Sequence, residues 1–138
     1  MGKESMEKGK LINLLKKSGY SQKSIDYYLN KLNVGWIDNP DTYFIYTGQC
    51  GDTMEIFLRI KSEVIKEAKF LVTGCAALHA CGSALCEMIR GKNLDEAEKI
   101  TEEDIISYLG KIPEAKAHCA CLAKKTLEEA IKKYKERN

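Results

Sequence analysis

The sequence predicts an α+β fold: a three-stranded antiparallel sheet followed by helices that pack on it. Three observations carry this. Between Tyr43 and Thr73 apolar side chains recur at every second residue, the period of a strand, with one interruption. Beyond His79 they recur at every third and fourth residue, the period of a helix. The strand-like runs are joined by connections short enough to favour antiparallel neighbours. The change of period falls within Phe70-Leu-Val-Thr-Gly-Cys-Ala-Ala-Leu-His79, where Gly74, lacking a Cβ, suits a sharp positive-φ turn.

Residues 1–19 are Lys-rich around one apolar patch, Leu11 to Leu15, and are set apart as an N-terminal extension to a domain spanning 20–138. The patch fits a helix ending at Ser18-Gly19, a glycine C-cap. Ser21 caps a second helix from Gln22 to about Leu32, with Ile25, Tyr28, Leu29 and Leu32 on one face. Tyr43 to Tyr46 is the first strand. Thr47-Gly-Gln-Cys-Gly-Asp52 interrupts the pattern, and its two glycines let the chain bend and expose Cys50. In the next strand Met54, Ile56, Leu58 and Ile60 face one way, and Glu55, Arg59 and Lys61 the other. A turn near Ser62-Glu63 leads to the third strand, where Ala68, Phe70 and Val72 alternate with Lys69 and Thr73.

A helix then runs from Cys75 to about Arg90. Leu78, Cys81, Leu85 and Ile89 share a core face, with Cys75, His79 and Cys86 on a neighbouring one, and Cys81 and Cys86 are expected to pack in the core or along the helix. Asn93 with Glu96, and Thr101 with Asp104, each have the spacing of a helix cap, for short helices to Ile100 and through Leu109. The last helix runs from about His118 to Tyr134 and buries Ala123, Leu127, Ala130, Ile131 and Tyr134.

The chain has 138 residues, enough for one domain with a real core. Its net charge of +2 gives no electrostatic case for nucleic acid or a membrane surface. No run approaches the roughly 18 apolar residues of a spanning helix. The apolar patch at Leu11 is too short for a signal peptide, and acids precede the first arginine, Arg59, which speaks against a transit peptide. A cytoplasmic location is expected, and there six cysteines point to metal or catalysis before disulfides.

Cys50, Asp52, Cys75, His118 and Cys119 lie on three segments, each a loop or helix start near Gly or Pro. At the start of a helix, Cys75 meets unpaired N–H groups and the positive end of the dipole, which favour the thiolate. Three thiolates with a His or a carboxylate complete a tetrahedral zinc site. The same set supplies the four protein ligands of a [2Fe–2S] cluster. Cys121 lies two residues beyond Cys119, roughly 200° around a helix, and is expected on the opposite, solvent side.

These residues resemble a known family. Tyr20-Ser-Gln-Lys, Asn33-Val-Gly35, Cys50-Gly-Asp52, Ala68-Lys-Phe70, Gly74-Cys75, Gly82-Ser83-Ala84, Gly91-Lys-Asn-Leu-Asp-Glu-Ala97 and His118-Cys119 are similar to iron–sulfur cluster assembly scaffolds of the IscU type, homologous to the N-terminal domain of NifU. The resemblance covers about 20–135 and implies the same α+β fold. It makes Cys50, Cys75 and Cys119 the cluster thiolates. Asp52 and His118 become candidates for a fourth ligand or a gate, and Lys116 a basic partner. It implies a transient [2Fe–2S] cluster built from iron and from the sulfur of a cysteine desulfurase, then passed to apo-proteins. Zinc is expected to fit the cluster-free form.

Such a protein is a scaffold and carrier, not an enzyme, and it fits a homodimer, an iron donor or an Hsp70-type chaperone as further partners. Of the family's Leu-Pro-Pro-Val-Lys chaperone loop, only Pro113 and Lys116 remain in Ile112-Pro-Glu-Ala-Lys116. A zinc-dependent sulfurtransferase is the rival reading. That branch typically carries an insertion before the last helices and lacks the histidine beside its third cysteine, whereas here His118 precedes Cys119.

Overall fold

The computed structural model describes residues 2–137, and side chains from residue 7 onward. The end residues of the two expected segments, Met1 and Asn138, lie outside that range. Two helices, α1 (Gly2–Lys17) and α2 (Gln22–Leu29), precede the strands β1 (Thr42–Thr47), β2 (Thr53–Lys61) and β3 (Val64–Thr73). There follow α3 (Ala76–Ile89), α4 (Leu94–Glu98), α5 (Glu102–Leu109), a 3₁₀ turn (Glu114–Lys116) and α6 (His118–Arg137).

The sheet has the order β1-β2-β3 and is antiparallel throughout. Met54, Ile56, Leu58 and Ile60 point from β2 into the core, paired with Phe70 and Ala68 of β3 on the same face. The opposite face is not simply polar: Phe57 is buried there against Tyr43, its partner in register. Ser62 and Glu63 both take positive φ and close the β2–β3 hairpin. α3 and α6 cover the inner face, α3 against β3 and α6 across β1 and β2. The small side chains of α3 allow this close approach; every residue from Ala77 to Cys86 except His79 is buried.

Both predicted caps form complete capping boxes, Asn93 with Glu96 and Thr101 with Asp104, though α4 stops at Glu98. α2 stops at Leu29, three residues short of expectation. Lys31 and Asn33 turn with positive φ, and Val34 is laid beside β3 instead. There Gly35 N–H donates to the Phe70 carbonyl, and Phe70 N–H to that of Asn33. Gly74 does not take positive φ, so a left-handed turn is not why glycine stands there. Among the described residues no helix is long and apolar enough to cross a membrane.

Candidate metal and sulfur centre

One end of the molecule gathers the sheet's β2–β3 ends, the first turn of α3 and the first turn of α6. The last pair of the β2–β3 ladder is Thr53 with Thr73. One step further along this register sets Asp52 opposite Gly74. Asp52 also continues the alternation of Met54, Ile56 and Leu58, so its side chain points to the helix-covered face. Behind it the loop is tight: Gly48 N–H donates to the Asp52 carbonyl and Gly51 N–H to that of Gly48. Gly51 has φ +90, a conformation other residues rarely adopt, and the turn leaves Cys50 exposed.

Cys75 is the N-cap of α3. Its carbonyl accepts from Leu78 and His79, while its side chain makes no capping bond and remains available to the site. Cys119 lies in the first turn of α6 and is fully buried. The Sγ atoms of Cys75 and Cys119 are 3.6 Å apart. A carboxylate oxygen of Asp52 lies with both sulfurs in one group whose atoms are all within 4.8 Å of each other. His118 Nε2 joins the set to the outer loop, 3.8 Å from Cys119 Sγ and 3.6 Å from Cys50 Sγ.

The contact between the two inner sulfurs drives their acidities apart. Cys75 is lowered to about 6, chiefly because the Cys119 thiol donates to it. Burial opposes the shift, and the Leu78 backbone N–H and the Lys116 charge assist it. Cys119 is raised by the same bond seen from the donor's side, then by burial and by the negative charge on Cys75. Tyr20, packed nearby, is raised to about 12, first by burial and then by the thiolate charge of Cys75.

The donor set is mixed in a way that bears on chemistry. Thiolates suit zinc and iron–sulfur clusters, while a carboxylate is a harder and weaker partner for soft metal. Two thiolates and a carboxylate already form the protein side of an open tetrahedral zinc site. His118 and Cys50 border it and bring a ring nitrogen and a third sulfur to its edge.

A model of the NifU-like N terminal domain matches residues 19–138. The chain belongs to that family. It is 39% identical over 120 residues to an iron–sulfur cluster assembly scaffold protein IscU of Archaeoglobus fulgidus, an alignment covering 86% of this chain and 78% of that protein. To IscU of Escherichia coli K12 it is 37% identical over 123 residues, 86% of this chain and 95% of the other. Among solved structures, a putative iron–sulfur cluster assembly scaffold protein for the SUF system, from Fervidobacterium islandicum, superposes with a TM-score of 0.71 at 26% identity, covering 81% of this chain and 96% of that one.

In this family member Asp52, Cys75 and Cys119 stand together, His118 lies beside Cys119, Cys50 lies beside His118, and Lys116 is within electrostatic reach of Cys75. Others do not join them. His79 packs against Tyr28 and Phe70. Cys81 and Cys86 are fully buried, as expected of packing residues, and burial pushes both thiols up to about 12.

Cys121 departs from expectation in a different way. It is exposed and outside the Asp52–Cys75–Cys119 group, yet it lines the same groove of about 540 Å³ as Cys50 and His118, with Tyr46, Leu122 and Lys125. His118, Cys121, Leu122 and Lys125 have the i, i+3, i+4, i+7 spacing of one helix face, the signal by which this groove could have been found.

Proposed function

We propose that this chain is a scaffold on which iron–sulfur clusters are assembled and from which they are handed on. The observation that carries it is the convergence of Cys75, Cys119 and Asp52 within 4.8 Å, with Cys50 and His118 alongside, on segments far apart in the chain. Membership of a family whose relatives are named scaffold proteins supports it. Cys50, Cys75 and Cys119 hold the cluster, which is cargo rather than a resident cofactor. Asp52 or His118 provides the labile fourth contact. Lys116 offsets the negative charge gathered by thiolates and sulfide.

The cargo is a [2Fe–2S] cluster, one per monomer or per homodimer. Sulfur arrives from a cysteine desulfurase, and the cluster leaves to apo-proteins, with an iron donor or an Hsp70-type chaperone as further partners. Zinc holds the same donors when no cluster is present. The work is assembly and carriage in the cytoplasm, without turnover of a metabolite. Residues 20–138 form the scaffold domain and 1–19 an extension to it.

The test is anaerobic incubation with a desulfurase, cysteine and Fe²⁺, followed by visible spectroscopy and analysis of iron and acid-labile sulfide. Charge-transfer absorption with matching iron and sulfide is expected. Protein that binds zinc and accepts sulfur but never shows that absorption is a sulfurtransferase instead.

A further inference from the structure

Gly74 is exposed and its φ lies outside the left-handed region, so nothing in its own backbone demands glycine. Its surroundings do. A Cβ built on Gly74 would lie 2.7 Å from Asp52 Cγ and 3.0 Å from both Asp52 Cβ and Oδ1, closer than carbon atoms approach without something moving. The Asp52 carboxylate therefore occupies the space a side chain at 74 would take. The register explains why: Thr53 pairs with Thr73, so positions 52 and 74 face each other on the helix-covered side just past the end of the ladder.

We infer that Gly74 is a positioning residue that seats Asp52 beside the two sulfurs, acting through the side chain it lacks. The neighbouring main chain is restrained, because the Asp52 carbonyl accepts from Gly48 N–H at 2.9 Å. The carboxylate end can yield by rotating about χ1, which clears Cγ and Oδ1 and leaves only the 3.0 Å approach to Asp52 Cβ, relieved by a shift of a few tenths of an ångström. A methyl group at 74 would thus spare the fold and turn the carboxylate away from Cys75 and Cys119. The site would lose its one oxygen donor while keeping every thiol.

The inference rests on the proposed role of Asp52 as a donor, and two measurements separate the two ideas. The first uses Co²⁺, titrated anaerobically into the full metal-free chain, as a spectroscopic probe. Gly74→Ala should reproduce Asp52→Ala in its ligand-field spectrum and in a loss of affinity of roughly ten- to hundredfold. The Gly74→Ala/Asp52→Ala double variant should bind no more weakly than Asp52→Ala alone, since the contacts with Cγ and Oδ1 have gone and only the 3.0 Å approach to Cβ remains. Additive losses, or a Gly74→Ala protein that binds like the parent while Asp52→Ala binds more weakly, overturn the inference.

The second measurement is a crystal structure of metal-free Gly74→Ala. The Asp52 carboxylate should lie outside the group it now forms with the two sulfurs, and finding it in place overturns the inference whatever cobalt shows. A displaced carboxylate with cobalt binding indifferent to Asp52→Ala supports the seating and removes the donor role. Should Gly74→Ala fail to fold, the double variant should fold; failure of both overturns the proposal.

Discussion

Gly74 and Gly82 are both crowded glycines, one at the open end of the thiol site and the other in the packed middle of α3. At Gly74 the crowding atoms belong to the Asp52 side chain, and the two of them beyond Cβ can rotate away. At Gly82 they are the Phe70 ring, 2.6 Å from where a Cβ would stand, and Phe70 is itself fully buried in the sheet. The cysteines divide the same way. Cys75 is lowered to about 6 where a thiol donates to it, whereas Cys81 and Cys86 are raised to about 12 by burial. Identical residue types serve chemistry where polar groups meet across a gap, and packing where they meet hydrocarbon.

The sharpest way to break that contrast is to exchange thiols for hydroxyls in both regions. Cys119→Ser should abolish a normal cluster, because serine keeps the size but not the soft donor. Cys86→Ser should reconstitute fully, with its cost confined to stability. Equal iron and sulfide contents in the two variants would erase the distinction.

Next in size is Gly82→Ala. Neither the helix nor the buried Phe70 ring can retreat, so overpacking should cost about 1–3 kcal/mol, read as a lower unfolding midpoint in denaturant. At low temperature the variant should still bind a cluster. An unchanged midpoint would mean that α3 lies less tightly on β3 than the Gly82–Phe70 contact indicates.

A smaller effect is in titration. Folding lowers the Cys75 value, so its thiolate is present above about pH 6 and protonates below it. Ultraviolet thiolate absorbance of anaerobic metal-free protein should show a step there, absent in Cys75→Ser and kept in Cys81→Ala. A step that survives Cys75→Ser belongs to another thiol.

The smallest effect is expected from removing residues 1–19. No described side chain of α1 is buried, and Leu14 is 62% exposed. Stability should change by no more than about 0.5 kcal/mol, the scale of surface changes, with cluster formation intact. A loss as large as that of Gly82→Ala would make α1 part of the core.

The sequence by itself determined what depends on neighbours along the chain. Strand alternation in Met54–Ile60, the Ser62-Glu63 turn and the boxes at Asn93 and Thr101 each follow from contacts within a few residues. The donors Cys50, Asp52, Cys75, His118 and Cys119 were legible for another reason: their motifs occur together in the order the family shows. Tertiary structure decided the rest, where the partner is distant in sequence. α2 stops at Leu29 because the chain beyond it bonds to Phe70. Cys86 is buried because α3 lies flat on the sheet, whatever its helical phase with Cys75. Cys121 meets the Cys50 groove because α6 begins at His118 and turns that face to the β1–β2 loop. Gly74 is glycine because the register of two strands brings Asp52 against it, and no local rule contains that register.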